Sequence, residues 1–366
     1  MTATTIAGQD SRRTSVRLVA IWLFVCAALV FVMVVVGGLT RLTHSGLSMV
    51  DWRPVTGWLP PLDEAAWEGA FEEYRKFPEY QKRNSGMSLG EFKSIFWFEY
   101  LHRLLGRVIG LVFLLPFLWF AATRKIGGRL VCWLVFIFCL GGLQGVVGWW
   151  MVKSGLVDRP DVSQYRLASH LGLAVIIYGL LIWTALSLVF RRSKDTAPEP
   201  NLYLGAICCL VAVFVTMLSG ALVAGLDAGF AYNTFPTMNG QWIPEGLMAQ
   251  SPWYANLTEN TVTVQFDHRW LATFTVIGIA VLWWRARKQE IGDLAQRALL
   301  GLTVAGLLQL VLGIATVILV VPTPLAATHQ AVAMLVFTLA VATTHALRPD
   351  TSGFSKLSSI AGDVER

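Results

Sequence analysis

Four histidines recur in matched surroundings along this 366-residue sequence, and their chemistry suits metal binding in pairs. His102 and His268 are each followed by an arginine, and His170 and His329 each follow a serine or threonine. A neutral imidazole is a common metal ligand, and two imidazoles that face each other can hold one heme iron axially. Zinc fits less well, because a tetrahedral site needs more His, Cys or carboxylate ligands than one pair supplies.

The repeated arrangement argues for function where a single histidine would not. One histidine at the end of a membrane helix is more often a hydrogen-bonded structural residue. Four at equivalent places of two repeats favour a functional role, because ionisable side chains are costly inside a membrane. The remaining two, His44 and His345, fall outside this pattern. His345 would lie about 24 Å from His329 along one helix, too far to bind the same iron.

One acidic residue distinguishes the two pairs. Glu99 precedes His102 by three residues, so both lie on the same face of a helix, whereas Gln265 occupies that place before His268. A carboxylate in a low dielectric can take or release protons, and an amide cannot. The difference predicts that the first pair belongs to a reacting site and the second to a site that only binds or relays electrons.

Charged neighbours of the histidines allow more than one interpretation. Arg103 and Arg269 are placed to contact a propionate of the first and second heme respectively, or alternatively to snorkel to the lipid–water boundary. Arg103 can also form a local ion pair with Glu99, four residues earlier. Asp267 is available to serve the second site. The sequence leaves these alternatives open.

The composition places the histidines in a membrane protein. Hydrophobic residues make up 55% of the chain and charged residues 14%, whereas soluble proteins carry about 25% charged residues. Eight apolar runs are close to or above the ~20 residues that cross a bilayer, which predicts an all-α polytopic membrane protein and excludes soluble, disordered and disulfide-scaffold classes. The predicted spans are Val16–Thr40, Ile95–Ala122, Leu130–Met151, Leu167–Phe190, Leu202–Ala224, Val264–Trp284, Leu294–Val321 and Leu325–Leu347.

The distribution of Lys and Arg predicts the orientation, because segments rich in them stay in the cytoplasm. Five such segments fall on one side of the predicted helices, whereas Gly225–Asp267 on the other side contains neither residue. Both termini are therefore predicted to be cytoplasmic. The net charge of +6 then follows from topology, so nucleic acid is not an expected partner. The charged segments contain Arg12, Arg13, Arg17; Arg124, Lys125, Arg129; Arg191, Arg192, Lys194; Arg285, Arg287, Lys288, Arg297; and Arg348, Lys356, Arg366.

An internal two-fold repeat predicts the architecture. An even number of helices in each repeat gives both halves the same orientation, so we expect two four-helix bundles side by side, residues 1–195 and 196–366. A linker with Pro198 and Pro200 joins them. The clearest echoes are Gly37-Gly38-Leu39 with Gly220-Ala221-Leu222, and Leu143-Gln144-x-Val146-x-Gly148 with Leu308-Gln309-x-Val311-x-Gly313.

Cysteine and glycine residues within the predicted spans are interpreted as follows. All five cysteines fall inside predicted spans and are interpreted as small apolar core residues that form no disulfide in the outer loops. Glycines are abundant in the first bundle, where they would make room for a porphyrin-sized plate, although close helix packing uses glycine in the same way. They are Gly106, Gly110, Gly141, Gly142, Gly145, Gly148 and Gly172.

Several longer motifs are specific enough to carry a family resemblance. They are Gly37-Gly38-Leu39-Thr40-Arg41-Leu42-Thr43, Ser45-Gly46-Leu47-Ser48-Met49, Phe77-Pro78-Glu79-Tyr80, the stretch from Phe92 to Arg107, Gly225-Leu226-Asp227-Ala228-Gly229, Asn233-x-Phe235-Pro236-x-Met238, Gln265-Phe266-x-His268-Arg269 and Thr328-His329-Gln330. From the first helix to the eighth, the sequence resembles the heme A synthase family in its proteobacterial and mitochondrial branch. Another branch carries a cysteine pair in the first outer loop, which this sequence lacks, so no thiol step is expected here.

The resemblance implies roles for the residues already singled out. It implies that His102 and His170 hold the substrate heme O, that Glu99 assists its oxidation, and that His268 and His329 hold a heme b cofactor. The implied reaction converts the C8 methyl group of heme O to the formyl group of heme A by two successive oxidations through a hydroxymethyl intermediate. The implied partners are the lipid bilayer, a heme O synthase that donates the substrate, and assembly factors of a terminal oxidase; the electron acceptor is not indicated.

Two other classes of protein are considered beside this one. A di-heme b-type electron-transfer protein usually stacks its hemes by placing ligand pairs on shared helices, whereas here each histidine has a helix of its own and all four lie toward the outer side. A transporter would explain the repeat but not the four iron-type ligands. The absence of an Arg- and Ser-rich transit peptide favours a multi-pass protein of the bacterial inner membrane over a mitochondrial one.

Overall fold

A computed structural model of the chain describes residues 3–52, 56–157, 160–190 and 200–349. The regular secondary structure of these residues is helical, with no strands. The predicted all-α class is therefore confirmed. Eleven α-helices lie in this part of the chain. Eight are long: α1 (Ala3–Leu42), α4 (Leu89–Ala122), α5 (Gly128–Gly155), α6 (Gln164–Val189), α7 (Pro200–Gly225), α9 (Thr261–Ala286), α10 (Asp293–Ile318) and α11 (Thr323–Leu347). Three are short: α2 (Glu64–Arg75), α3 (Pro78–Lys82) and α8 (Asn256–Glu259).

Seven of the long helices in the described part of the chain are long and apolar enough to cross a membrane. The exception is α9, which has 26 residues and coincides with the predicted sixth span. It carries Asp267, His268 and Arg269 toward one end and Arg285 at the other, and these residues lower its mean hydropathy. The chain is thus a membrane protein by its helices, and the eighth crossing stays a prediction.

Polar caps set where the histidine-bearing helices begin. A capping box starts α4: the Ser88 hydroxyl accepts from the backbone N–H of Glu91, and the Glu91 carboxylate accepts from that of Ser88. The helix therefore begins six residues before the predicted Ile95. His102 lies 13 residues beyond Leu89, between three and four turns inside α4. His102 therefore lies deeper in its helix than the two turns that a start at Ile95 would give, because the cap extends α4 beyond its apolar run.

The long helices contact one another in two rings. In the first helix group, α1 contacts α4 and α6, and α5 contacts α4 and α6. In the second helix group, α7 contacts α9 and α11, and α10 contacts α9 and α11. Between the groups, α1 packs on α11, and α6 packs on both α7 and α11. Each group thus contains two of the helices that carry the paired histidines.

The short helices α2 and α3 lie between α1 and α4, in the part of the chain that we call the first outer segment after its predicted side of the membrane, and they cover the start of α4. The second outer segment is the corresponding part between α7 and α9. Five aromatic side chains form a buried cluster at the start of α4, including Trp67 and Tyr74 of α2 and Phe92 of α4. The Tyr74 and Phe92 rings have centroids 5.2 Å apart, and Trp67 meets Phe96 edge-on at 4.9 Å. This cluster, which the sequence did not predict, places α4 residues 89–100 against outer protein structure.

The cysteines correct one expectation. All five are free: Cys26 and Cys209 are buried, but Cys132, Cys139 and Cys208 are exposed. The interpretation as core residues is therefore wrong for the last three. They lie on faces of α5 and α7 that turn away from the protein, where a lipid surface accepts a small apolar side chain as readily as a core does.

Several charges used to predict orientation lie outside the described residues, as does the proposed boundary at residues 195 and 196. These are Arg191, Arg192, Lys194, Lys356 and Arg366, together with Pro198 of the linker and the side chains of Arg12 and Arg13.

Candidate functional site

A layer without buried residues crosses all eight long helices. At this level every helix residue keeps part of its surface accessible, so the helices bury one another less completely here than in the core. The main apolar core lies on one side of this layer, and buried polar residues of the outer ends lie on the other. The stretches are 35–39, 101–112, 138–154, 165–171, 214–220, 266–274, 307–315 and 323–333. All four paired histidines fall within them.

The structure brings the histidines together as two pairs. His102 on α4 and His170 on α6 are near enough for their charges to act on each other, and so are His268 on α9 and His329 on α11. Each side chain is half-buried. One pair thus lies in each helix group; that each pair holds one iron stays a prediction.

A glycine from a neighbouring helix lies against each ring of the first pair. A Cβ atom added to Gly37 would lie 2.9 Å from Cε1 of His102, and one added to Gly148 would lie 2.8 Å from Cε1 of His170. Any larger side chain at either position would have to displace the imidazole. The two glycines therefore fix where the first pair of rings can lie.

The same arrangement holds in the second pair. A Cβ atom on Gly220 would lie 3.1 Å from Cε1 of His268, and one on Gly313 would lie 2.9 Å from Cε1 of His329. In the sequence, Gly220 and Gly313 stand out only as members of the repeated motifs. Their two-fold recurrence was the signal that could have linked them to the histidines.

Glutamine amides accompany the second histidine of each pair. The Gln144 amide lies 3.1 Å from Nδ1 of His170 and donates to the His170 backbone oxygen at 3.0 Å. The repeat-related Gln309 amide lies 3.4 Å from Nε2 of His329. Such outer contacts orient ligating imidazoles in metal sites. Both glutamines belong to repeat motifs that were recognised without assigning them a role.

The hydrogen-bonding state of the rings fits metal ligation. Ser219 Oγ lies 2.8 Å from Nδ1 of His268, whereas Nδ1 of His102 and of His329 is buried with no hydrogen-bond partner. Buried polar atoms without partners are rare and call for an explanation. No group of three or more His, Cys, Asp or Glu side chains in the described residues could hold a metal ion. The two imidazoles of each pair are therefore the candidate ligands at each place.

The carboxylate of Glu99 is buried and fully engaged at the outer end of α4. The residue is 3% exposed. Its Oε2 accepts from Ser48 Oγ at 2.8 Å and from the backbone N–H of Met49 at 2.7 Å. Its Oε1 accepts from Nη2 of Arg103 at 2.6 Å and from Nε at 3.1 Å. The ion pair that the sequence left as an alternative is thus present, and Glu99 also binds the segment after α1.

Arg103 binds the same segment as Glu99, and we call these two residues the anchor of the first outer segment. Besides Glu99, its guanidinium donates to the backbone oxygens of Met49 at 2.6 Å and Asp51 at 2.8 Å. Most of its donors are therefore directed to protein groups of the outer segment. A propionate contact would use the donor that remains on Nη1.

The second helix group has a corresponding anchor, Gln265 and Arg269, in which the residue at the position of Glu99 donates hydrogen bonds instead of accepting them. Gln265 Nε2 donates to the backbone oxygens of Ala228 at 2.8 Å and Tyr232 at 3.1 Å. Arg269 donates to the backbone oxygens of Tyr232 and Thr234, both at 2.7 Å. Its Nε is buried without a partner, so a donor is left for an anionic group.

The outer segment of the first group contains a further buried acid. Glu79 is 2% exposed, and Tyr74 Oη donates to its Oε2 at 3.1 Å. Asn84 Nδ2 in turn donates to Tyr74 Oη at 2.7 Å. Burial raises the pKa of Glu79 to about 7. In the sequence, Glu79 was recognised only as part of the motif Phe77-Pro78-Glu79-Tyr80, with no role assigned to it.

The two remaining histidines are not part of either pair. His44 lies in the loop after α1 with its Nδ1 3.3 Å from Nη1 of Arg83. His345 is buried at the other end of α11, with its Nε2 3.1 Å from Ser187 Oγ. Both positions agree with their exclusion from the predicted iron ligands.

Comparison with known proteins covers nearly the whole chain. The model of the cytochrome oxidase assembly protein family, COX15-CtaA, matches residues 20–341. The chain is 52% identical over 329 residues to the heme A synthase of Parvibaculum lavamentivorans, which covers 90% of this chain and 94% of that one. It is 51% identical over 332 residues to that of Nitrosospira multiformis, with 90% and 93% covered. The chain belongs to the heme A synthase family. The resemblance inferred from the motifs is confirmed.

A third relative extends the match. The heme A synthase of Rhodospirillum centenum is 48% identical over 348 residues, which cover 94% of this chain and 92% of that one. The heme A synthase family match therefore includes both helix groups and both histidine pairs.

Proposed function

We propose that this protein is a heme A synthase that oxidises the C8 methyl group of heme O to the formyl group of heme A in two successive steps through a hydroxymethyl intermediate. One observation carries the proposal: two histidine pairs lie at a level where no helix residue is fully buried, and only His102 has a carboxylate, Glu99, three residues before it on the same helix, where His268 has Gln265. Substrate heme O is assigned to His102 and His170, with Arg103 near its propionates.

The second pair is assigned to a cofactor. His268 and His329 would hold a heme b, and the unpaired Nε of Arg269 would donate to a propionate. Bound there, heme b supplies one-electron redox chemistry. The protein's own part is to hold both imidazoles against Gly220 and Gly313 and to keep the ring of His268 oriented through Ser219.

Glu99 is assigned to the oxidation of the substrate methyl group. Four donors stabilise its negative charge, which favours electrostatic stabilisation of positive charge developing on the methyl carbon. To act as a general base it would first have to exchange one of these donors. Gln265 offers neither a charge nor a titrating proton, so the reaction is assigned to the first helix group alone.

The membrane arrangement is part of the proposal. The chain crosses eight times as two four-helix bundles, residues 1–195 and 196–366, with both termini in the cytoplasm of a bacterial cell and the histidines toward the outer side. The place of α9 between α7 and α10 in the second ring supports its crossing with the others. The proposed partners are a heme O synthase that delivers the substrate and assembly factors of the terminal oxidase that receives heme A.

One experiment separates this function from that of a b-type electron-transfer protein. The purified protein is analysed by pyridine hemochrome spectra and mass spectrometry of extracted heme, and is then supplied with heme O and a reductant under air. Formation of heme A supports the proposal. Bound heme b without conversion would instead identify an electron-transfer protein, and a protein free of heme would reject both.

A further inference from the structure

A polar contact joins the two helix groups beside the proposed iron ligands. Gln330 follows His329 on α11, and its side-chain amide donates to the backbone oxygen of Val34 on α1 at 2.7 Å. A Cβ atom added to Gly38 would overlap Oε1 of Gln330 and lie 2.6 Å from its Cδ. Any side chain at position 38 would therefore have to displace the Gln330 amide from this contact.

Both ends of the contact adjoin a residue that positions an imidazole. Gly38 follows Gly37, which lies against the ring of His102. Consecutive residues of an α-helix point about 100° apart, so α1 presents one glycine to α4 and the next to α11. In the same way α11 carries His329 on the face toward its own group and Gln330 on the face toward α1. Two neighbouring pairs of residues thus connect the ligand His329 to the ligand His102.

The repeat shows that this contact is not a by-product of the fold. It relates Gly38 to Ala221 and Gln330 to Leu171, and neither of these side chains can form a hydrogen bond. At that related place α7 packs on α6 as α1 packs on α11. Of the two equivalent seams, the polar contact lies in the one that joins the second site's ligand helix to α1.

We propose that Gln330 is a positioning residue that couples the two histidine pairs, so that heme bound at His268 and His329 preorganises the first pair for substrate heme. The coupling rests on the proposed heme sites. Heme bound at His329 would hold α11 in one position. The Gln330 amide, which binds Val34 and packs against Gly38, would then hold α1 in a matching position. Coupled sites of this kind change each other's affinity by roughly 5–150-fold.

The test measures the effect of each substitution on the heme site of the other helix group. Full-length, heme-loaded protein is oxidised, and the low-spin ferric signal of each site is recorded by electron paramagnetic resonance, since its position depends on imidazole orientation. The two signals are assigned by their loss in His170→Ala and His329→Ala. We expect Gln330→Leu, which installs the repeat-related residue, to shift the signal of the first site, and Gly38→Ala to shift that of the second.

A matched control removes another polar contact between the groups. Tyr178 Oη lies 2.7 Å from Thr338 Oγ1, about 13 Å along α11 from His329. Thr338→Val should shift neither signal. If Gly38→Ala fails to fold, Gly38→Ala with Gln330→Ala removes the overlap and should show the same loss of coupling.

Affinity measurements complete the test. Heme O should bind the first site at least 5-fold more weakly in His268→Ala than in the unaltered protein, and this difference should vanish in a Gln330→Leu background. Substitutions that alter only the signal of their own group, or an unchanged dependence on the second site, would overturn the coupling while leaving both heme sites standing. Unaltered protein without heme would instead overturn the proposed function, and the coupling with it.

Discussion

The two helix groups use the same two positions on α4 and α9 to hold their outer segments, but with opposite polarity. In the first group the outer segment offers donors, the Ser48 hydroxyl and the Met49 N–H, to the Glu99 carboxylate. In the second it offers backbone oxygens to the Gln265 amide. A carboxylate is therefore not required at this position to bind the segment, because an amide forms the corresponding hydrogen bonds with donors and acceptors exchanged.

The arginine of each anchor sharpens the contrast. Arg103 places two of its bonds on Glu99, whereas Arg269 makes one longer contact of 3.3 Å with Gln265 and keeps its Nε unpaired. In the first anchor, the positive charge of Arg103 is therefore used to bind the negative charge of Glu99. The second leaves a positive donor for a bound anion.

The largest effect is expected from removing one ligand in either group. His329→Ala should lose heme b, because a single remaining imidazole holds the iron from one side only. His170→Ala is the matched variant of the first group and should retain heme b while losing heme O. Optical spectra and extracted heme measure both. Unaltered heme b in purified His329→Ala would refute the assignment of the cofactor to the second group.

Reciprocal exchange of the anchor residues comes next. Glu99→Gln should lower the rate of heme A formation by about 10²–10⁴-fold, the usual cost of losing a group that acts on charge or protons in the reaction. The protein should still fold and retain heme b, and heme O or its hydroxymethyl product should accumulate. The measurement is single-turnover conversion followed by mass spectrometry. A normal rate would reduce Glu99 to an anchor for Ser48, Met49 and Arg103.

The control for this exchange is the loss of one anchor contact without loss of charge. Ser48→Ala removes a donor to Oε2 of Glu99 and leaves the carboxylate with its other partners. We expect a smaller loss of rate than in Glu99→Gln, because three donors to the carboxylate remain and one hydrogen bond to a charged group contributes roughly 1.5–3 kcal/mol. A loss as large as that of Glu99→Gln would show that anchoring, not charge, limits the reaction.

A smaller effect is expected from Gln265→Glu. The new carboxylate would face the backbone oxygens of Ala228 and Tyr232, which now receive hydrogen bonds. Unmade bonds and repulsion should destabilise the second outer segment by about 1–3 kcal/mol, with heme b retained. Thermal unfolding monitored through the heme b spectrum gives the measurement. A stability equal to that of the unaltered protein would contradict the opposite polarity of the two anchors.

How much the sequence could predict depended on the range of the interaction. Apolar runs located every long helix in the described residues, and the repeat predicted which histidines share a helix group. The start of α4 was missed because a capping box, not hydropathy, determines it. The contact of Gly148 with His170 and that of Gln330 with Gly38 depend on how helices rotate against each other, which no pattern along one helix contains. The exposure of Cys132 was missed for the same reason.

The outer segments differ once more in their buried polar groups. The first contains the acid Glu79 beside Tyr74, and the second is held by the uncharged pair Asn256 and Asn260, whose side chains are 2.9 Å apart. Of these two buried groups, only the acid can change its charge with pH in the neutral range. This difference leads to the smallest of the expected effects.

The pH response has a definite sign. The pKa of Glu79 is raised by burial from 4.5 in the unfolded chain to about 7, so the folded segment binds the proton more tightly. Stability is therefore greatest below about pH 4.5 and falls as pH rises toward 7, by on the order of 1–3 kcal/mol. Hydrogen exchange of α2 and α3, corrected for intrinsic rates, should be faster at pH 8 than at pH 6. Glu79→Gln should abolish the difference, because its amide does not ionise, and the segment around Asn256 and Asn260 serves as the internal control. An equal response in both segments, or a response that survives Glu79→Gln, would show that the buried acid is not the group that titrates.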